Sequence, residues 1–271
     1  MPSITRDSRT VNFTDSSTDG SGGDGRAVVL LHAFPLNSKQ WEGQIESLAD
    51  RYRFICPDFQ GFGDSTAPED ESTYSMDGYA DDVAAILDEL GLDKVVLAGL
   101  SMGGYAAFAF LRRHRDRVSA LVLADTKAEA DPPEAKEKRS SQQELVRSEG
   151  TAGLIEGLSG ALLGEPTRAK KPDVVEATKD LMASNPPAGF IGALEAMKNR
   201  PDSSGELAQI DVPTLVIVGE NDGVTPVAAS EALKEGIGGS RLVVIPESGH
   251  LSNLEAPEAF NGALAEFLGG L

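Results

Sequence analysis

Cysteine is almost absent from this chain: Cys56 is the only one in 271 residues. No internal disulfide can form, and no cysteine metal cluster exists. No stretch approaches the roughly 18 apolar residues of a membrane span. The segment Met1-Pro2-Ser3-Ile4-Thr5-Arg6-Asp7 lacks the apolar core of a secretory signal. These absences predict a cytoplasmic protein with no membrane partner. Basic residues are also scarce, 24 Lys and Arg against 43 Asp and Glu, for a net charge of −19. Such a surface repels nucleic acid and anionic lipid, so neither is expected as a partner. Histidine is limited to His32, His114 and His250, which keeps the search for a general base short.

What the chain does have is a repeated alternation of strand-like and helix-like stretches. Thr10 to Thr14 reads as a first strand, and Asp15 to Gly25, rich in Ser, Gly and Asp, as a turn or loop. Ala27 to Leu31 is an unbroken apolar run without alternation, as expected of a strand buried on both faces of a parallel sheet. A helix should follow from Ser38 as its cap through Trp41, Ile45 and Leu48. Arg53 to Pro57 is the next strand, and Asp58 to Ser65 a glycine turn with a supporting role. Met76, Tyr79, Val83, Ile86, Leu87 and Leu90 share one helical face, capped by Thr73 or Ser75 and stopped at Gly91. Strands are also expected at Val95, Val118, Thr214 and Arg241, and helices at Pro226 and Pro257. Residues 127–210 interrupt this rhythm with helices and prolines but no clear strand. The reading is an α/β core from residues 1–126 and 211–271, with a helical cap at residues 127–210 over the carboxyl edge of the sheet, where open α/β sheets bind ligands.

The chemistry centres on Gly99-Leu100-Ser101-Met102-Gly103-Gly104. An apolar strand enters and an alanine-rich helix leaves, so Ser101 should stand at the apex of a sharp turn with small residues two positions to either side. This is the G-x-S-x-G nucleophile elbow. A serine nucleophile needs a base, an acid that orients the base, and donors for the oxyanion. His114 sits among arginines at a helix end and His32 precedes a candidate oxyanion loop. His250, in a loop after the last strand, is therefore the expected base. Asp222 and Asp125 both follow strands and are both candidates for the acid; the chain order Ser, Asp, His suits Asp222. The oxyanion donors are expected to be the backbone N–H groups of Met102 and Phe34. His32, Trp41, Leu154, Leu158 and Phe190 are the expected substrate-binding residues. No metal or other cofactor is needed.

His32-Ala33-Phe34-Pro35, Asp58-x-x-Gly61-x-Gly63-x-Ser65, the Ser101 elbow, Gly219-Glu220-Asn221-Asp222 with Thr225-Pro226, and Ser248-Gly249-His250 together resemble the α/β-hydrolase superfamily. The stretch from His250 to Phe260 resembles the 3-oxoadipate enol-lactonase group and its esterase-like relatives. The resemblance implies a mostly parallel sheet with helices on both faces, a helical cap inserted after strand six, and a Ser101–His250–Asp222 triad. It implies a small ester or lactone as substrate. Serine at the elbow, where dehalogenases and epoxide hydrolases carry aspartate, argues against those activities. One departure is Ala33, where the family usually has glycine; a positive φ there would cost alanine around 1 kcal/mol. The expected reaction is hydrolysis of small or medium esters through an acyl-enzyme. The rivals are an enol-lactonase, a perhydrolase-like side activity and a non-catalytic binder of a small ligand. A lactonase substrate would carry a carboxylate and want a cation in the pocket; Arg139, Arg147, Arg168 and Arg200 are the cap residues available to supply one.

Overall fold

Val28, Val29, Leu30 and Leu31 are fully buried, because helices cover the sheet on both sides of them. In the computed structural model, which describes residues 1–19 and 26–271, this run is one of eight strands in a single sheet. The strands are β1 (Ser3–Arg6), β2 (Arg9–Asp15), β3 (Ala27–Leu31), β4 (Arg53–Pro57), β5 (Val95–Leu100), β6 (Val118–Ala124), β7 (Thr214–Gly219) and β8 (Arg241–Ile245). Their order is β1-β2-β4-β3-β5-β6-β7-β8. β1 and β2 pair antiparallel, as do β2 and β4; all other neighbours are parallel. Parallel neighbours require crossovers, and the helices between the strands supply them.

The helices are α1 (Glu42–Leu48), α2 (Met76–Glu89), α3 (Met102–His114), α4 (Pro133–Glu149), α5 (Ala152–Leu162), α6 (Glu165–Lys170), α7 (Pro172–Ala183), α8 (Pro187–Lys198), α9 (Val227–Gly236), α10 (Ser252–Glu255) and α11 (Pro257–Gly269). α4 to α8 lie between β6 and β7, in the stretch where the sequence shows helices and no strand. On α2, Met76, Tyr79, Val83, Ile86 and Leu87 form the buried face, and the Ser75 hydroxyl accepts from Gly78 N–H to cap it.

Two local readings need correction. β1 is an additional strand, because Ile4 alone gives no apolar period; the two-residue turn Asp7-Ser8, both at positive φ, closes it onto β2. The cap before Trp41 is Asn37 rather than Ser38: its side chain accepts from Lys39 N–H and starts a 3₁₀ turn that runs into α1. Within the expected Asp15–Gly25 loop, Ser16–Asp19 is a short 3₁₀ turn, and residues 20–25 lie outside the described residues.

The turn from β5 into α3 depends on close backbone contact. A Cβ on Gly103 would stand 2.1 Å from the Leu31 carbonyl oxygen, and one on Gly99 would stand 2.3 Å from the Gly103 oxygen. Neither neighbour is a flexible side chain, so backbone must move to admit a methyl group. Gly103→Ala is therefore expected to destabilise the protein by about 1–3 kcal/mol, as overpacked cores do, despite the better helix propensity of alanine. Urea denaturation of the two proteins measures this, and equal midpoints would contradict it.

Candidate active site

β5 ends at Leu100 and α3 begins at Met102, so Ser101 alone makes the turn. Its φ is +55 and its ψ −113, a conformation that costs a non-glycine residue free energy and persists only when its surroundings enforce it. They do so here. Ser101 N–H donates to Ala124 O at 2.9 Å, and Ser101 O accepts from Gly104 N–H and from the Thr126 hydroxyl, each at 2.9 Å.

The loop after β8 carries His250. Its N–H donates to Leu162 O at the end of α5 (3.0 Å). Buried Glu255 on α10 accepts from Gly249 N–H (2.9 Å) and Leu251 N–H (3.2 Å), on either side of His250, and from Gly164 N–H (2.8 Å) beyond α5. The turn after β7 carries Asp222. One of its oxygens accepts from Val224 N–H (2.8 Å) and Thr225 N–H (2.9 Å); the other accepts from the Thr225 hydroxyl (2.7 Å).

These segments bring three side chains into line. His250 Nδ1 stands 2.8 Å from Asp222 Oδ2, and His250 Nε2 stands 2.7 Å from Ser101 Oγ. An ionised carboxylate only accepts, so Nδ1 carries the proton and Nε2 accepts from the Ser101 hydroxyl. Burial disfavours the imidazolium, but the charge and hydrogen bond of Asp222 outweigh it, and the His250 pKa is raised above 6.5. Burial also opposes the charge on Asp222, and the interaction with His250 overcomes it, so the carboxyl lies below its ordinary value. Asp125, the other acid candidate, does not reach the imidazole. Its Oδ1 accepts from Gly219 N–H (2.8 Å), and its Oδ2 lies 2.5 Å from Ser252 Oγ.

Two backbone N–H groups, that of Met102 after Ser101 and that of Phe34 in the loop after β3, are without partners among the described residues. The neighbouring Ala33 N–H is taken by Gln40 Oε1 at 2.8 Å, which fixes the loop after β3. Ala33 is not among the residues at positive φ, so alanine carries no such penalty there. Met102 opens α3, whose dipole favours negative charge at that end.

A cavity of about 600 Å³ lies over Ser101 and His250. Phe34, Tyr105, Leu158, Leu162 and Met197 give it apolar wall. Lys127, Lys138, Arg139 and Arg168 line it as well, with only Asp131 and Glu165 as carboxylates. Lys127 is half-buried and has no ion-pair partner among the described residues, whereas Arg139 pairs with Asp131.

Of the expected substrate-binding residues, Leu158 lines this cavity and the other four do not. His32 is fully buried: Phe59 N–H donates to its Nε2 (3.1 Å) and Nδ1 contacts Ala33 O (2.9 Å). Burial pushes its pKa down to about 4, so it stays neutral and holds the loop after β3 against the Asp58–Ser65 turn. Trp41 packs on Phe260 of α11, ring centroids 6.1 Å apart. Phe190 packs edge-on against Phe34, and Leu154 is buried among the helices between β6 and β7. Arg147 pairs with Glu71, and Arg200 lies buried, its guanidinium 3.9 Å from the Tyr105 ring centre. Tyr105 and Lys127 were not singled out from sequence. Tyr105 follows the serine by four residues, one helical turn, and that spacing could have pointed to it. Among the described residues, no cluster of three His, Cys, Asp or Glu is arranged to hold a metal ion, and no helix is long and apolar enough to cross a membrane.

The family model of the alpha/beta hydrolase fold matches residues 26–257, and the chain belongs to that family. It is 34% identical to the AB hydrolase superfamily protein YisY of Bacillus subtilis (strain 168), over 90% of this chain and 92% of that protein. It is 31% identical to 3-oxoadipate enol-lactonase 2 of Acinetobacter baylyi, over 89% of this chain and 88% of the relative. Among solved structures, a thermophilic esterase from Thermogutta terrifontis, with malate bound, superimposes with a TM-score of 0.92 at 41% identity, covering 98% of this chain and 97% of its own.

The raised pKa makes a measurable prediction. Imidazole NMR should place the His250 titration above the ordinary histidine value of 6.5, and Asp222→Asn should bring it below that of the parent. The raised pKa also contributes stability that is fully present below about pH 6.5 and is lost as pH rises through the folded value. A His250 pKa at or below 6.5 in the parent would contradict the arrangement.

Proposed function

We propose that this chain hydrolyses carboxylic esters through an acyl-enzyme on Ser101. The observation that carries the reading is the single imidazole bridging Ser101 Oγ at 2.7 Å and Asp222 Oδ2 at 2.8 Å inside a cavity. Neutral His250 takes the hydroxyl proton at Nε2 as Ser101 Oγ attacks the ester carbonyl. Asp222 accepts from Nδ1–H throughout and stabilises the imidazolium that forms. The oxyanion sits between Phe34 N–H and Met102 N–H, two donors with no competing acceptor to displace. Imidazolium Nε2–H then gives its proton to the departing alcohol. Water enters, loses a proton to Nε2 and attacks the acyl carbon; the acyl–Oγ bond then breaks, Nε2–H returns its proton to Ser101 Oγ, and the carboxylic acid leaves. Small or medium acyl groups fit the apolar wall from Phe34 to Met197. The single cysteine supports a cytoplasmic setting.

A second reading is favoured by the charge of the cavity. On a chain of net charge −19, four cationic side chains against two carboxylates is a local reversal of sign. It supports a substrate that carries a carboxylate, which a lactonase of the enol-lactone type would use and a simple esterase would not. The named relatives include both kinds of enzyme.

The test is a panel of chromogenic short and medium esters, half-esters of dicarboxylic acids and lactones, run with the parent and Ser101→Ala. The parent should turn over esters, and Ser101→Ala should lose on the order of a million-fold, as in a triad acting as a unit. Half-esters should bind better than neutral esters of the same length, and the preference should shrink with added salt and in Lys127→Ala. Dominant turnover of lactones would put the lactonase reading ahead. Ligand binding that survives Ser101→Ala, with no turnover by the folded parent, would replace both with a binding role.

A further inference from the structure

β6 contributes none of the three side chains that meet at Ser101, yet its carboxyl end holds all three segments that carry them. Ala124 O accepts from Ser101 N–H, and the Thr126 hydroxyl donates to Ser101 O. Between them stands Asp125, fully buried at φ +44. Its N–H donates to Ile217 O on β7 at 2.9 Å. Oδ1 accepts from Gly219 N–H (2.8 Å), and Gly219 O in turn accepts from Asp222 N–H (3.1 Å). Oδ2 lies 2.5 Å from Ser252 Oγ and 3.4 Å from Ser252 N, two residues beyond His250. One carboxyl group thus bonds to the turn that carries the acid and to the loop that carries the base.

The geometry points to Asp125 as a positioning residue: its carboxyl ties the Asp222 turn to the His250 loop and so holds His250 in line with Ser101. The inference rests on the ester-hydrolase reading. Burial, and then the charge of Asp222, push the Asp125 acid up to about 8, so near neutral pH it is held mainly as the neutral acid. The neutral acid donates its Oδ2–H to Ser252 Oγ and accepts from Gly219 N–H at Oδ1. Asparagine offers the same in nearly the same shape, with its carbonyl for Gly219 N–H and its NH₂ for Ser252 Oγ. Alanine offers neither, and leaves both partners unpaired in the interior. A carboxyl that serves stability alone would, when removed, lower the melting temperature without separating kcat from KM.

The experiment compares Asp125→Asn, Asp125→Ala and Ser252→Ala with the parent. It reads kcat and KM on an ester, and by NMR the low-field Nδ1–H proton of the His250–Asp222 hydrogen bond, which needs no substrate. Asp125→Ala should lose about 100-fold in kcat, the scale of an ångström's misplacement, with KM within about two-fold. Its low-field proton should shift or broaden. Asp125→Asn should keep kcat within about five-fold and keep the resonance, while Ser252→Ala, which cuts one of the two ties, should fall between them, at about ten-fold. Unchanged kcat and resonance in Asp125→Ala would overturn the proposal. So would an Asp125→Asn protein that loses as much as Asp125→Ala. If Asp125→Ala does not fold, Ser252→Ala decides: parent-like kcat and resonance there overturn the proposal. A parent with no ester turnover overturns the ester reading instead, and the resonance still decides the role of Asp125.

Discussion

The structure depends on one imidazole held at both nitrogens where almost no solvent reaches it. His250 and Asp222 are 1% and 5% exposed. A buried carboxylate without its partner would cost several kcal/mol, so the pair is tolerated only while both ends stay bonded. The geometry needed to keep them bonded is demanding. Ser101 leaves β5 and His250 follows β8, three strand spacings away, or roughly 14 Å. The His250 loop must therefore fold back across the ends of β7 and β6. It does so in close contact with β7: a Cβ on Gly219 would stand 2.0 Å from Gly249 O. The anchors around His250 keep that reach in place. Glu255 grips the loop from α10, Leu162 O receives its N–H from α5, and Asp125 reaches it from β6.

The same anchors connect the catalytic edge to the helices above it. Gly164 N–H and Gly249 N–H share the Glu255 carboxylate, so the end of α5 and the base loop are fastened together. On the other side, Gln40 accepts from Ala33 N–H and donates to Asn253 of α10 at 3.2 Å. The loop after β3 and the segment that follows His250 are thereby linked through a buried amide. The site is a set of loops pinned to one another, and its cavity opens between them and the α4–α8 helices.

How much of this was legible in the sequence followed the range of the interactions involved. Gly99 and Gly103 could be read as necessary because the turn they serve is local. The chain order of Ser101, Asp222 and His250, with two of the three histidines placed elsewhere, narrowed the side chains that could meet. β1 left no signal beyond its turn, since Ile4 is its one large apolar residue. The pocket wall was less legible. Trp41 and Phe190 are aromatic near the site, and nothing local says that Phe260 and Phe34 will bury them. The cations at Lys127, Lys138 and Arg168 face the cavity because of how α4 to α8 pack, which no sequence period encodes. Asp125 was visible as a residue after a strand, but its partners lie 94 and 127 positions away.

The proposed reaction needs Ser101 as the nucleophile and His250 as the base that activates it. The most direct measurement is mass spectrometry after treatment with a p-nitrophenyl phosphonate ester, which phosphonylates an activated serine and is not turned over. One adduct per chain is expected, on the peptide that contains Ser101, absent from His250→Ala under the same conditions. A folded parent that stays unmodified, or an adduct on another residue, would contradict it.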